Sequence, residues 1–275
     1  MTSVPLAGVI GSPISHSKSP ALHGHWLHTL GIRGHYIPLN IAVEDLAQCL
    51  DALPRMGFRG VNVTIPHKEA VLALAAQVTD RARRIGAANT LTFGKEGFHA
   101  DNTDAEGFIE NLRQNVPGWN PAAGPALVLG AGGAARAVIV ALQDAGVPEI
   151  RLCNRTFSRA QALAQEFGDP VHAIDWADKS RAAHEASLVI NTTSLGMQGQ
   201  PPLDLRPESL RPDTLVTDIV YAPLETPLLR LAGQRGCRTV DGLGMLLYQA
   251  VPGFERWFGQ RPAVSPELRA AVLAA

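Results

Sequence analysis

ALVLGAGGAA, residues 126–135, decides the fold. Ala126, Leu127, Val128 and Leu129 read as a buried strand. GAGGAA then fits G-x-G-x-x-G/A where that strand gives way to a helix over 134–145. Each position has a mechanical reason. Gly130 permits the tight turn, Gly132 lets backbone approach a pyrophosphate, and Ala135 in the third slot allows close packing of helix on strand. The helix N-terminus offers phosphates unpaired N–H groups and positive partial charge. A plain glycine-rich turn can share these letters, but the strand–turn–helix context makes a dinucleotide site the better reading.

The next strand chooses the cofactor. EIRLCN ends in Asn154, followed by Arg155, Thr156, Ser158 and Arg159. An NAD site usually carries Asp or Glu here for the ribose 2′-hydroxyl, whereas Arg suits the 2′-phosphate of NADP. There is no carboxylate, and two guanidiniums among hydroxyls match the geometry of a phosphate dianion. An exposed arginine pair at a strand end is the bland alternative. NADP is favoured over NAD.

Outward from this centre, strand-like and helix-like segments alternate. Downstream come a helix over 157–167, strands over 171–174, 188–192 and 215–219, a helix over 227–234, the strand CRTV and helices over 244–258 and 266–274. Upstream, strands are expected over 6–10, 35–40, 60–65 and 88–93. Helices are expected over 19–30 (Ser19 as cap, Pro20 at the first position), 43–53, 69–77 and 104–113. PGWNPAAGP, 117–125, is the best linker candidate in the first half. The pattern is α/β with mostly parallel sheets.

Composition narrows the function. Among 275 residues, 46% are apolar and 18% charged, enough for a sizeable core. A net charge of -1 gives no whole-chain footprint for nucleic acid or an anionic membrane. Cys49, Cys153 and Cys237 are far apart without metal-ligand spacing, so no metal is expected and reduced thiols in the cytoplasm are. The N-terminal stretch lacks a charged n-region, and no apolar run approaches a membrane span.

The remaining chemistry clusters in the first hundred residues. SPISHSKSP, 12–20, packs four serines, a histidine and a lysine between the first strand and a helix, where open α/β sheets bind ligands. In an extended segment Ser15 and Ser17 would face the same way and suit a carboxylate or polyol; a serine-rich loop with a helix cap would look similar. In GVNVTIPHK, 60–68, Val61, Val63 and Ile65 alternate against Asn62 and Thr64. Pro66 then stops the strand just before Lys68. Asn89 and Thr90 follow in GAANTL, and DNTD, 101–104, precedes a helix that Asp104 suits as N-cap. In a parallel sheet these clusters can share one edge as a hydroxyl-rich pocket with one ammonium and one carboxylate. His67, beside Lys68, points elsewhere and is expected to be a bystander.

Eight motifs in order resemble the shikimate dehydrogenase family across nearly the whole chain: GSPISHSKSP, NVTIPHK, IGAANTL, NTDAEGF, GAGGAAR, NRTFSR, INTTSLGM and DGLGMLLYQA. The resemblance implies reversible NADPH-dependent reduction of 3-dehydroshikimate to shikimate, with Lys68 and Asp104 catalytic. It implies substrate contacts from Ser15, Ser17, Thr64, Lys68, Asn89, Asp104, Tyr221 and Gln249. Cofactor contacts are implied for Gly130, Ala131, Gly132, Gly133 and Ala134, for Asn154, Arg155, Thr156, Ser158 and Arg159, for Ile219 and Gly242, and for Asp80. Some members carry an aromatic or aliphatic residue at His67 and methionine at Ile219. The implied architecture is a discontinuous substrate-binding domain, 1–104 and 241–275, with a Rossmann NADP-binding domain, 105–240, inserted. Shikimate or 3-dehydroshikimate is then the only expected partner of a monomer or homodimer. The alternatives are a quinate/shikimate dehydrogenase with relaxed cofactor use, a non-catalytic NADP-binding sensor, and a dinucleotide enzyme of unrelated substrate.

Overall fold

The computed structural model describes residues 4–275. The first elements are β1 (Leu6–Gly11), α1 (Ser19–Thr29), β2 (His35–Asn40), α2 (Leu46–Ala52), β3 (Phe58–Val63), α3 (Ala70–Leu74), β4 (Gln77–Val78), α4 (Asp80–Ile85), β5 (Thr90–Gly94), β6 (Gly97–Asp101) and α5 (Asp104–Asn115). There follow β7 (Ala126–Leu129), α6 (Gly133–Ala145), β8 (Ile150–Cys153), α7 (Phe157–Phe167), β9 (Val171–Ile174), α8 (Lys179–Glu185), β10 (Leu188–Asn191), β11 (Leu215–Asp218), α9 (Pro227–Gln234), β12 (Arg238–Val240), α10 (Leu243–Phe258) and α11 (Pro266–Ala274). The chain divides into two compact units. One runs to Gly107 and resumes with Leu246–Ala275, and the other is Phe108–Met245. The divisions fall inside α5 and α10, and the Pro/Gly-rich stretch 117–125 lies within the second unit.

The sheet of the first unit has the order β2-β1-β3-β5-β6-β4. β1 runs parallel to β2 and β3, and β4 parallel to β6, while β5 is antiparallel to both β3 and β6. The reversed strand corrects the premise that the polar clusters meet because the sheet is parallel. Asn89 stands at the start of β5, and a strand running backwards puts its start beside the ends of β1 and β3. β6 runs forward again, so Asp101 and the residues after it return to that edge. The β5–β6 hairpin closes through Lys95 and Glu96 between paired Gly94 and Gly97. Without the Asn-Gly or Asp-Gly signature of such turns, it escaped the sequence reading.

From Gly60 to Val63, β3 is buried on both faces, contrary to its alternating pattern. Val61 and Val63 pack with Ile10, Leu46, Leu50 and Leu91, and Asn62, on the opposite face, is only 5% exposed. Ile65 lies outside the strand and is 74% exposed. Pairing to β5 ends at Asn62 and pairing to β1 at Val63, so no neighbour remains to cover it. The helix expected over 69–77 is cut to Ala70–Leu74, because Gln77 and Val78 pair with β6.

The second unit holds a wholly parallel sheet, β12-β11-β10-β7-β8-β9. This is the doubly wound order in which the dinucleotide crevice opens where the strand order reverses, between β7 and β10. Ala126, Leu127, Val128 and Leu129 are fully buried, as a strand covered on both faces requires. Among the described residues no helix is long and apolar enough to cross a membrane.

Candidate active site

The carboxyl edge of the first sheet assembles a closed hydrogen-bond cluster. Lys68 Nζ donates to Asp104 Oδ2 at 2.6 Å, the two side chains being 21% and 9% exposed. Asn89 Nδ2 donates to Asp104 Oδ1 at 2.8 Å and to Gln249 Oε1 at 3.0 Å. Asn89 Oδ1 in turn accepts from the Thr103 N–H and from the Thr90 hydroxyl. Those donors fix the amide's orientation, so its Nδ2 must face Asp104. Gln249 is fixed in the same way, since its Nε2 donates to the Leu246 carbonyl. Both oxygens of Asp104 thus hold donors, and Lys68 keeps two further N–H groups. Asp104 opens α5 as its first residue instead of capping it, and its own N–H is taken by Asn102 Oδ1.

The loops after β1 and β3 are bound to each other. Ser12 N–H donates to the Ile65 carbonyl and Thr64 N–H to that of Ile10. Residues 14–17 form a turn closed by Ser17 N–H to Ile14 O, so Ser15 and Ser17 do not lie on an extended segment as expected. Ser19 is not a cap. It is the first residue of α1, and its N–H donates to Ser17 Oγ. Ser15 is exposed and Thr64 half-buried, each hydroxyl without a hydrogen-bond partner among the described residues. His67 is buried, with Nε2 2.8 Å from the Ile41 carbonyl. It fastens the Lys68 loop to the end of β2, and Ala88 N–H fastens the Lys68 carbonyl from the other side.

The glycine turn of the second unit is shaped as its motif requires. Gly130 has φ +113°, and a Cβ there would lie 2.6 Å from Thr192 Oγ1. A Cβ on Gly132 or Gly133 would meet nothing within 4 Å, which leaves an open face at the N-terminus of α6. Ala131 and Ala134 border that face, and Ala135 is fully buried against the sheet. At the adjacent end of β8, Asn154 Nδ2 donates to the Thr156 carbonyl and Thr156 sits at the N-cap of α7. Arg155, Thr156, Ser158 and Arg159 are all exposed, neither guanidinium has an ion pair among the described residues, and the first turn of α7 contains no acid. Open backbone N–H groups and unpaired guanidiniums form a donor set that fits a phosphorylated dinucleotide.

Ile219 and Tyr221 follow β11, both half-buried, and burial pushes the Tyr221 phenol upward. Gly242 packs so tightly on this segment that a Cβ would lie 2.3 Å from the Ile219 carbonyl oxygen. Asp80 is apart from all of these. It is fully exposed at the start of α4 and paired with Arg83 at 2.6 Å. The sequence reading assigned no role to Thr103, whose N–H holds Asn89 and whose hydroxyl donates to the Gln249 carbonyl at 2.7 Å. It also gave none to Asn62, whose Nδ2 donates to the Asn89 carbonyl at 3.0 Å. A buried asparagine in a valine-rich strand was the available signal for the latter.

Three family models match the chain: a shikimate dehydrogenase substrate binding domain over residues 9–91, shikimate/quinate 5-dehydrogenase over 114–197, and a shikimate 5'-dehydrogenase C-terminal domain over 242–271. The shikimate dehydrogenase (NADP(+)) of Cereibacter sphaeroides is 63% identical over 275 residues, covering 100% of this chain and 99% of that one. Shikimate 5-dehydrogenase from Thermus thermophilus, solved in complex with NADP(H) and shikimate, is 40% identical with a TM-score of 0.88, covering 99% of each chain. Quinate dehydrogenase from Corynebacterium glutamicum, solved with NAD, is 33% identical with a TM-score of 0.92 over the same shares. In sequence and in fold, the chain belongs to the shikimate dehydrogenase family.

Proposed function

We propose that the protein catalyses the reversible NADPH-dependent reduction of 3-dehydroshikimate to shikimate, with Lys68 as general acid/base and Asp104 as its partner. The observation that carries this reading is the 2.6 Å Lys68–Asp104 pair, locked by Asn89 and Gln249. Reducing a carbonyl needs a hydride on carbon and a proton on oxygen. NADPH, when bound, supplies the hydride. Lys68 gives its proton to the oxygen that becomes the hydroxyl, and takes it back in the reverse direction. Asp104 directs the ammonium through a single charge-assisted bond and leaves its other N–H groups for the substrate. Positioned proton transfer of this kind contributes about 10²–10⁴-fold in rate.

Ser15 and Ser17 are assigned to the substrate carboxylate, and Thr64, Asn89, Tyr221 and Gln249 to its hydroxyls. The cofactor is assigned to Gly130, Ala131, Gly132, Gly133 and Ala134 for the pyrophosphate, and to Asn154, Arg155, Thr156, Ser158 and Arg159 for the 2′-phosphate side. Ile219 and Gly242 are assigned to the nicotinamide side, and the exposed Asp80 has the weakest support. The substrate-binding role belongs to the first unit and the NADP-binding role to the second. The free thiols, two of them buried, agree with a cytoplasmic enzyme. We assign it as a monomer or homodimer, which light scattering distinguishes.

Absorbance at 340 nm, crossing shikimate and quinate with NADP and NAD, tests the reading. Turnover should be highest with shikimate and NADP. Preference for quinate and NAD would replace it with the relaxed relative, and no turnover with any pair would leave a binding protein.

A further inference from the structure

Asp218, the last residue of β11, is fully buried and has no ion pair among the described residues. Burial raises its proton affinity, yet every neighbour is placed to donate to it. Oδ1 accepts from the Val220 N–H and from Asn191 Nδ2, both at 3.0 Å, and Oδ2 accepts from the Thr226 hydroxyl at 2.7 Å. The orientation of each side-chain partner is independently fixed. Asn191 Oδ1 accepts from the N–H and hydroxyl of Thr193, which turns its Nδ2 toward Asp218. Thr226 Oγ1 accepts from the Leu229 N–H as the N-cap of α9, which leaves its proton for Asp218. Three donors and no acceptor select the ionised carboxylate.

The placement of this anion matters. It stands at the carboxyl end of β11, beside β10, in the half of the doubly wound sheet opposite to the glycine turn of β7. In a fold built from two mononucleotide-binding halves, the half carrying the glycine turn takes the adenylate side and the other half takes the nicotinamide. Asp218 also holds the segment that follows β11: its Oδ1 accepts from the Val220 N–H, between Ile219, assigned above to the nicotinamide side, and Tyr221. The nicotinamide is cationic when oxidised and neutral when reduced.

We propose that Asp218 is an electrostatic positioning residue whose buried negative charge makes the nicotinamide half of the site favour NADP+ over NADPH. This rests on the NADP reading above. At an effective dielectric near 20, a unit charge about 10 Å from a cation changes its binding by roughly tenfold.

The test is calorimetric titration of NADP+ and NADPH into the wild type, Asp218→Asn and Thr226→Val, with thermal melts as a folding control. Asp218→Asn keeps the shape and can still accept from Val220 and Asn191. Its Kd ratio, NADP+ over NADPH, is expected to rise about tenfold. Thr226→Val removes the tie to α9 but keeps the charge, and its ratio should stay within about twofold of wild type. Should the amide variant not fold, Asp218→Ser carries the same expectation. An unchanged ratio in the charge-neutral variant, or an equal shift in Thr226→Val, would overturn the proposal. Failure of the wild type to bind either form would instead overturn the NADP assignment.

Discussion

The proposed proton site of the first unit and the proposed cofactor cradle of the second are built on opposite plans. Around Lys68 nearly every polar group is occupied: both Asp104 oxygens, the whole Asn89 amide and both ends of Gln249 have partners within the protein. Around Gly132 and Arg155 the reverse holds. The α6 N-terminus faces open space, and two exposed guanidiniums stand without ion pairs among the described residues. A group that must hand over a proton at a defined atom is preorganised by bonds formed on folding. A cradle for phosphates leaves its donors open, so that the ligand itself completes them.

Substitutions should therefore fail differently in the two regions. The largest effect is expected at the proton site. Lys68→Ala and Asp104→Asn should each lower kcat by at least about 10²-fold with a much smaller change in KM for shikimate. Steady-state kinetics showing the loss mainly in KM would make the cluster a binding site and erase the contrast. In the cradle, Arg155→Ala should raise KM for NADP by roughly 10–50-fold, the value of about one charge-assisted phosphate bond. It should change KM for NAD little, and equal effects on both cofactors would contradict recognition of the 2′-phosphate.

A smaller effect should separate the units by acid stability. His23 of α1 is fully buried and stacked on Tyr36 at 3.9 Å. Burial lowers its pKa to about 3. A histidine depressed in the folded state stabilises fully above its unfolded pKa of about 6.5 and loses that contribution progressively as pH falls toward 3. Between pH 7 and 5.5 the loss is about 1.3 kcal/mol. Asp101 does not confuse this window. Burial opposes its ionisation, but Arg81, Arg256 and Thr79 hold its carboxyl well below the usual range. Its contribution is lost only below about pH 4. The histidines of the second unit, His172 and His184, are exposed. Urea unfolding followed by hydrogen exchange should show the first unit loosening first as pH falls, and His23→Phe should flatten its pH dependence. An unchanged slope would show that His23 does not titrate on unfolding in this range.

The two regions also differ in how far the sequence reveals them. The second unit follows from short-range rules. β7 and α7 occupy the residues expected of them and α6 begins one residue early, because glycines, apolar strands and helical periodicity act within a few positions. The first unit depends on pairings that no local window contains. β5 runs antiparallel to β3, which brings Asn89 to the edge where Lys68 stands, and the two-residue hairpin after Gly94 returns β6 and Asp104 to that edge. Gln249 meets Asn89 across 160 positions of chain, an encounter set by the return of α10 and foreseen only through resemblance to a family. Ile65 and Asn62 depart from the alternation for two reasons: β3 ends at Val63 and leaves Ile65 uncovered, while Asn62 is buried because that part of the strand is covered on both faces.

The proton-transfer claim is tested most directly by chemical rescue. Lys68→Ala is assayed at 340 nm with shikimate and NADP while small primary amines are added to the buffer. Activity should rise in proportion to amine concentration, recovering part of the lost kcat with KM for NADP unchanged. Residual activity indifferent to amines, or a kcat never lost, would contradict Lys68 as the acid/base.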